Sequence, residues 1–302
     1  MIEATGAIPA GGNRPQIFFR RWAPEGRTPP AGPRPVLAVC HGYGEHSGRY
    51  TELARYFTGL GFSVYALDLR GHGKSGGERA FVRRFAVYAE DLEVFLAEVR
   101  AESGSPIVLI GHSMGGAVSL IYAGKYGKSG NRLEGLILSG PALRLAVKVG
   151  AVRRVLVNIL AGIAPRMKAA PGVADLISRD PAVVAEFKND PLTYSGPTKA
   201  GMARTFIRAE EEVTPFLSEI ELPLLVMQGS EDKIIDTASG RIASEMVNSR
   251  DTTLKYYEGL YHVIFHEPER EEVFADMARW LEERDFTNTP GGKEGSDTGA
   301  GG

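Results

Sequence analysis

Short apolar runs that alternate with longer helical patterns constrain the fold of this 302-residue chain more than any other feature. A strand buried on both faces reads as a near-continuous apolar run, so the pattern predicts a mostly parallel, twisted α/β sheet with helices on both faces. The predicted strands are Gln16–Trp22, Pro35–Cys40, Ser63–Leu69, Pro106–Gly111, Leu133–Gly140, Leu222–Gly229 and Thr253–Gly259. The predicted helices are Tyr50–Leu60, Phe81–Glu102, Met114–Gly127, Thr237–Val247 and Pro268–Arg284.

One segment, from Pro141 to about Arg208, has no strand signal. We predict that residues 142–208 form a helical cap inserted between two parts of the sheet domain, residues 1–141 and 209–285. A set of apolar residues in this segment falls on one ~100°-wide helical face, which either packs on its own domain or lies on a lipid surface. These residues are Leu145, Val149, Val152, Leu156, Ile159, Leu160 and Ile163, and the cations beside them are Arg144, Lys148 and Arg153.

The composition is ordinary for a globular protein, with 43% hydrophobic and 24% charged residues and a formal net charge of −2. This balance predicts no nucleic-acid partner. The N-terminus lacks the features of a secretion signal, and no apolar run approaches the ~20 residues that span a bilayer. We therefore expect a cytoplasmic protein that could touch membranes only peripherally.

Two further features concern the single cysteine and the C-terminus. With one cysteine, Cys40, no intrachain disulfide can form, and its apolar surroundings predict a core residue. The stretch Thr287–Gly302 is Gly-rich and has no large apolar residue. It cannot bury enough surface to offset its ordering entropy, so we predict a disordered tail over residues 286–302.

Ser113 stands where a predicted buried strand gives way to a predicted helix, in the stretch Gly111–Gly116. The residues Gly-His-Ser-Met-Gly fit G-x-S-x-G, the strained turn that exposes a nucleophilic serine. Its flanking glycines are needed because side chains there would collide with the neighbouring strand or helix. Ligands of an open parallel sheet bind at the carboxyl ends of its strands, so the turn predicts a nucleophile in a cleft.

A neutral serine needs a base that is oriented by an acid, and in this kind of sheet the chain order is serine, acid, histidine. Asp232 lies just past one predicted strand, and His262 lies in the loop after the next. All three residues therefore fall at the same sheet edge, which predicts a catalytic triad. The competing residues, read otherwise as solvated loop residues or caps, are Glu231, Asp236 and His266.

The tetrahedral oxyanion of acyl transfer needs hydrogen-bond donors. In this kind of sheet, one is the amide of the residue after the nucleophile, here Met114, and another comes from the loop after an early strand. We assign the second amide to Tyr43 in His41-Gly42-Tyr43-Gly44. We expect His41 to fix this loop by hydrogen bonds.

Several blocks of the chain resemble the monoacylglycerol lipase and lysophospholipase branch of the α/β-hydrolases, also described as serine aminopeptidase S33 or hydrolase-4. The resemblance runs from about residue 15 to about residue 283. The blocks that carry it are His41–Tyr50, Leu67–Arg79, Gly111–Gly116, Gly229–Asp236 and Tyr257–Glu267.

The resemblance implies the α/β-hydrolase fold and the same triad and oxyanion residues. It also places Glu45 and Arg49 near the polar head of a glycerol ester. The family's cap encloses an apolar acyl tunnel. The residues expected to line it here are Leu145, Val149, Val152 and Leu156. Tyr43 and Phe187 depart from the family pattern, which bears on substrate preference.

These observations predict a serine hydrolase that cleaves a lipid ester with an apolar acyl chain, through an acyl-enzyme on Ser113 and without metal or organic cofactor. A peptidase or perhydrolase using the same triad is an alternative. A ligand-binding protein without turnover is another, although it would have no need for all three triad residues. Ser113 argues against dehalogenases and epoxide hydrolases, which use an aspartate nucleophile.

Overall fold

The computed structural model of the protein describes residues 1–12, 14–25, 34–127, 133–284 and 286. Of the predicted tail, only Phe286 is among them, and its buried ring packs against Trp280. The rest of the tail lies outside the described residues. In the described ranges the strands are β1 (Ile2–Ile8), β2 (Ile17–Ala23), β3 (Val36–Cys40), β4 (Val64–Leu67), β5 (Ile107–His112), β6 (Gly135–Ser139), β7 (Lys168–Ala170), β8 (Thr198–Lys199), β9 (Leu224–Gly229) and β10 (Thr252–Tyr257).

The main sheet has the order β1-β2-β4-β3-β5-β6-β9-β10. β1 and β4 pair antiparallel with β2, and every other neighbouring pair is parallel. The predicted mostly parallel α/β sheet is therefore confirmed. The helices in the described ranges are α1 (Thr51–Gly59), α2 (Ala86–Ser103), α3 (Met114–Tyr126), α4 (Ala151–Ile163), α5 (Pro181–Asn189), α6 (Ala200–Ile207), α7 (Ala209–Leu217), α8 (Ala238–Glu245) and α9 (Arg270–Glu282).

Both faces of the sheet are covered, which explains why its central strands are apolar throughout. Along β3, Ala38 packs into the core layer that contains Phe95 of α2. Its neighbour Val39 points the other way, into the layer that contains Phe57 of α1 and Phe274 of α9. Successive side chains of a strand alternate between its faces, so one apolar run supplies both layers.

The sequence pattern does not reveal strand β1. This strand lies at one edge of the sheet, and of its side chains only Ile8 is buried. It is held by its backbone pairing with β2, where Gly6 leaves room for the Phe19 ring. Apart from Ile8, only Ala4 and Gly6 are partly buried on the face that it turns inward, and such small residues give a weak hydrophobic period.

The segment predicted as a cap without strands contains one small antiparallel pair, β7 with β8. These strands have three and two residues, too few for a period to be visible. Helix α5 begins at Pro181, where the Asp180 carboxylate accepts a hydrogen bond from the Ala182 amide at 2.8 Å. The boundaries 142–208 stay a prediction.

The predicted apolar stripe is divided in the structure. Leu145 and Val149 precede α4, and Leu145 forms an isolated β-bridge with Ile235. Helix α4 packs on α6 and buries Val157 and Ala161 instead. The alternative in which this apolar face packs on its own domain is therefore wrong for most of these residues. Its exposed residues, with exposed fractions, are Val152 (76%), Leu156 (60%), Ile159 (55%) and Ile163 (80%).

Within the part of the chain that the structure describes, no helix combines the length and apolar character needed to cross a bilayer. The exposed side chains of α4 thus belong to a short amphipathic helix of 13 residues.

Cys40 is fully buried, as its apolar surroundings predict, and burial raises the pKa of its thiol.

Candidate active site

Ser113 occupies a strained turn between β5 and α3, with φ of 54° and ψ of −118°. Its flanking glycines make this turn sterically possible. A Cβ on Gly111 would lie 2.5 Å from Ser119 Oγ of α3, and one on Gly115 would lie 2.0 Å from the Cys40 carbonyl oxygen of β3. Side chains at these positions would push the serine away from the sheet edge, as the G-x-S-x-G motif predicts. We call this turn, Gly111–Gly115, the elbow.

The structure brings Ser113, Asp232 and His262 together at the carboxyl edge of the sheet. The Ser113 hydroxyl donates a hydrogen bond to His262 Nε2 at 2.8 Å, and His262 Nδ1 donates to Asp232 Oδ2 at 2.7 Å. All three residues are buried. This chain of hydrogen bonds places a base against the serine hydroxyl and a carboxylate behind that base.

Asp232 is held in the orientation that serves the imidazole. Its Oδ1 accepts hydrogen bonds from the amides of Ile234 and Ile235, both at 2.9 Å. Burial alone would raise the pKa of this carboxyl, but the charge and hydrogen bond of His262, with the two amides, lower it overall. The ionised carboxylate keeps the proton of His262 on Nδ1, which leaves Nε2 free to accept the serine proton.

The competing residues have other partners. Asp236 accepts a hydrogen bond from the Ala238 amide at 2.9 Å, at the start of α8. His266 Nε2 donates to the Arg49 carbonyl oxygen at 2.9 Å. Glu231 pairs with Lys233 at the surface.

The two amides assigned to the oxyanion, those of Tyr43 and Met114, have no hydrogen-bond acceptor within the part of the chain that the structure describes. His41 fixes the loop that carries Tyr43, as expected. Its Nδ1 donates a hydrogen bond to the Gly42 carbonyl oxygen at 2.7 Å, and its Nε2 accepts one from the Leu69 amide at 2.9 Å. Both N–H groups are therefore available to a substrate oxygen.

A cavity of about 270 Å³ opens beside Ser113 and is lined mostly by apolar side chains. Of the residues expected to line an acyl tunnel, Leu145 and Val149 line this cavity. Val152 and Leu156 do not, because α4 turns these residues outward and its opposite face inward. The lining residues that the stripe does not reveal include Val157, Phe187, Ala203, Phe206, Ile207 and Val263.

Glu45 lies at the polar end of this cavity, but its carboxylate is occupied by protein donors. Oε2 accepts hydrogen bonds from the Gly42 amide and the Tyr50 hydroxyl, both at 2.9 Å. Oε1 accepts from Arg49 Nε at 3.3 Å. Although burial raises the pKa of Glu45, His112 and Arg49 lower it well below its usual range, so the group is ionised.

Arg49 does not line the cavity. Its guanidinium lies 5.0 Å from the ring centroid of Phe187, and both residues are buried. The two predicted head-group ligands thus contact each other, but of the pair only Glu45 lines the cavity.

His112 is a site residue that the sequence reasoning does not single out. It occupies the first of the two variable positions of G-x-S-x-G, its ring centroid lies 4.9 Å from that of His262, and it lines the cavity. Its Nδ1 lies 3.1 Å from Ser139 Oγ. Burial lowers the pKa of His112 to about 4, so the ring is neutral beside the base.

In the described ranges, no group of three or more His, Cys, Asp or Glu side chains is arranged to hold a metal ion.

The family model described as serine aminopeptidase, S33 (Hydrolase_4) matches residues 31–269. The chain belongs to this α/β-hydrolase family. Within the S33 family it is 37% identical over 273 residues to a protein of Mycolicibacterium smegmatis named monoacylglycerol lipase. That match covers 90% of this chain and 95% of the relative.

Two further similarities extend over nearly the whole chain. The human protein named monoglyceride lipase is 34% identical over 275 residues, with 90% of this chain and 88% of that protein covered. A crystal structure of a soluble variant of Saccharomyces cerevisiae monoglyceride lipase with a substrate analogue superposes with a TM-score of 0.79. It is 26% identical and covers 94% of this S33 family member and 96% of the yeast chain.

Proposed function

We propose that the protein is a carboxylic ester hydrolase that cleaves monoacylglycerols through an acyl-enzyme on Ser113. The observation that carries the proposal is the hydrogen-bonded chain from Ser113 through His262 to Asp232, at the wall of an apolar cavity. The similarity to proteins named monoacylglycerol lipase supports the substrate class.

In the proposed reaction, His262 Nε2 accepts the Ser113 proton as the serine oxygen attacks the ester carbonyl carbon. The amides of Tyr43 and Met114 donate hydrogen bonds to the oxyanion, and the ester bond breaks as His262 returns the proton to the departing glycerol oxygen. Water, deprotonated by the same nitrogen, then attacks the acyl carbonyl carbon; the bond between this carbon and Ser113 Oγ breaks, His262 returns the proton to that oxygen, and the fatty acid is released. Asp232 stabilises the imidazolium in both steps.

The substrate class is tested by comparing esters and amides that share one acyl chain. We expect kcat/KM to be highest for a monoacylglycerol, because the cavity offers apolar surface for one acyl chain and relatives that match nearly the whole chain are named monoacylglycerol lipase and monoglyceride lipase. A lysophospholipid with the same acyl chain is the comparison ester, and faster turnover of it would contradict the proposed substrate class. Faster turnover of an aminoacyl amide would contradict the proposal and favour the peptidase alternative.

We also propose that α4 rests on lipid surfaces from which substrate is drawn. Its outward apolar residues are exposed, and the exposed Lys148 just before its start supplies a cation for anionic head groups, whereas Arg153 lies at the cavity lining. The inner face of the same helix lines the cavity through Val157. A helix at this position would connect the lipid surface with the acyl cavity.

The variant Ile159→Asp/Ile163→Asp tests this contact. We expect its binding to anionic vesicles at low salt to fall by at least about 10-fold, because two apolar side chains lose their lipid environment. Hydrolysis of vesicle-borne monoacylglycerol should fall in parallel, and hydrolysis of a short soluble ester should not change. Ile2→Asp, at an exposed apolar residue of β1, is the matched control. Unchanged vesicle binding of the double variant in a sedimentation assay would contradict the proposal.

A further inference from the structure

The loop that carries Tyr43, residues Gly42–His46 and here called the oxyanion loop, is tied to the predicted cap. The Tyr194 amide donates a hydrogen bond to the Gly44 carbonyl oxygen at 2.8 Å. His46 Nε2 lies 2.8 Å from Asp190 Oδ2. The rings of Tyr43 and Tyr194 also meet edge to face, with their centroids 6.0 Å apart. Three parts of this loop thus contact one cap segment, residues 190–194.

The hydrogen bond between His46 and Asp190 has a defined direction. His46 Nδ1 accepts from the Gly48 amide at 3.1 Å, so the ring proton is on Nε2 and is donated to Asp190. The second carboxylate oxygen of Asp190 accepts from the Leu192 amide at 2.7 Å. Burial raises the pKa of Asp190, but these hydrogen bonds lower it overall, so the acceptor is ionised.

The contact is close and the cap segment is itself anchored. Gly44 has φ of +78°, and a Cβ there would lie 2.5 Å from the Tyr194 carbonyl oxygen. Arg79 Nη2 donates to the carbonyl oxygens of Leu192 and Thr193 at 2.5 and 2.8 Å. The segment that touches the oxyanion loop therefore has its own attachment to the sheet domain.

On the other side, the oxyanion loop is held by the sheet domain, where Nε2 of His41, the residue just before the loop, accepts a hydrogen bond from the Leu69 amide at 2.9 Å. Tyr43 stands between this contact and the cap contact at Gly44. An oxyanion donor acts only if it lies about 2.7–3.1 Å from the developing oxygen, so the direction of the Tyr43 N–H depends on both neighbours.

We propose that Asp190 is a positioning residue for the oxyanion hole, acting through His46 together with the Tyr194 amide. The inference rests on the proposed function, since it requires Tyr43 as an oxyanion donor. It gives the cap a role in transition-state stabilisation besides covering the acyl cavity. Asp190 itself does not line that cavity.

The variant Asp190→Asn tests this role, because an amide has one acceptor oxygen and cannot satisfy both His46 and the Leu192 amide. We expect kcat for a soluble monoacyl ester to fall by about 10-fold with KM unchanged, since small misplacement of a catalytic group costs up to about 10² in rate. The Ki of a trifluoromethyl ketone analogue, which forms a hemiketal oxyanion on the serine, should rise by the same factor. The Kd of an unreactive ether analogue should stay constant.

The matched control is Lys199→Met. Lys199 Nζ donates to Glu78 Oε1 at 3.1 Å and to the Arg79 carbonyl at 2.8 Å, so it joins cap to sheet domain without touching the oxyanion loop. We expect this variant to lower Tm while kcat and the ketone Ki stay at wild-type values. If both variants change the two analogues alike, Asp190 only stabilises the cap and the proposal is wrong.

Two further results would test the positioning role of Asp190. Wild-type kcat and ketone Ki in folded Asp190→Asn would overturn the proposal. If that variant does not fold, Arg79→Met is tested instead, because it removes the hydrogen bonds that hold the same cap segment. We expect a smaller rise in the Ki of the ketone without a change in the Kd of the ether. An unchanged ketone Ki with a changed ether Kd would overturn the proposal. Failure of the proposed function is a separate result, because it appears as turnover by Ser113→Ala whatever Asp190 does.

Discussion

Replacing Ser113 with alanine is expected to lower kcat for a monoacyl ester by about 10⁴- to 10⁶-fold, the range in which removal of a serine nucleophile acts. The variant keeps the cavity and the oxyanion amides, but no oxygen remains to attack the carbonyl carbon. The measurement is steady-state hydrolysis of a chromogenic short-chain ester, with wild-type protein as reference.

The control for this variant is binding. Ser113→Ala should bind the unreactive ether analogue as tightly as the wild type, because the apolar lining of the cavity is unchanged. Its fold is checked by Tm. A folded Ser113→Ala protein that retains turnover within about 10-fold of wild type would mean that another group is the nucleophile.

Replacing Asp232 with asparagine should lower kcat by about 10⁴-fold, the effect of this change in serine proteases. The new side-chain amide would present an N–H toward His262 Nδ1 and would favour the proton on Nε2. That nitrogen faces the Ser113 hydroxyl at 2.8 Å and could then no longer accept its proton. The loss should appear in kcat, since neither the carboxylate nor the amide supplies acyl-chain contacts.

The matched control is Asp236→Asn. The Asp236 carboxylate accepts a hydrogen bond from the Ala238 amide just before α8, and the side-chain oxygen of asparagine can accept the same hydrogen bond. We expect its kcat to equal that of the wild type. Equal losses in Asp232→Asn and Asp236→Asn would contradict the assignment of the acid.

Much of the sheet and of the candidate site follows from the sequence because both depend on local patterns. Buried strands such as β5 are apolar on both faces, and the elbow places Ser113 directly after one of them. Parallel strands share a carboxyl edge, so Asp232 after β9 and His262 after β10 meet there although the chain separates them from Ser113.

The structure of the predicted cap is harder to derive from the sequence, because an apolar stripe shows which residues share a helical face but not which face is covered. Ile159 and Ile163 look like core residues in the sequence. In the structure, however, the face of α4 that carries the smaller side chains Val157 and Ala161 packs against α6. This choice depends on the position of α6, which no local pattern of α4 contains.

The roles of single polar residues depend in the same way on distant partners. Glu45 resembles a head-group ligand by motif, but the Gly42 amide, the Tyr50 hydroxyl and Arg49 occupy its oxygens. Asp190 contacts His46 across 144 positions of the chain, a pairing that neither local segment indicates. Such contacts become visible only in the folded structure.

The proposed hydrolysis depends on a nucleophilic oxygen at residue 113, and covalent labelling with a fluorophosphonate tests this requirement most directly. After incubation with an excess of probe, intact-mass and peptide mass spectrometry should find one adduct per chain, on Ser113, formed in parallel with the loss of esterase activity. Preincubation with a slowly hydrolysed monoacyl ester should delay the labelling. An adduct on another residue, or full inactivation while Ser113 stays unmodified, would contradict this requirement.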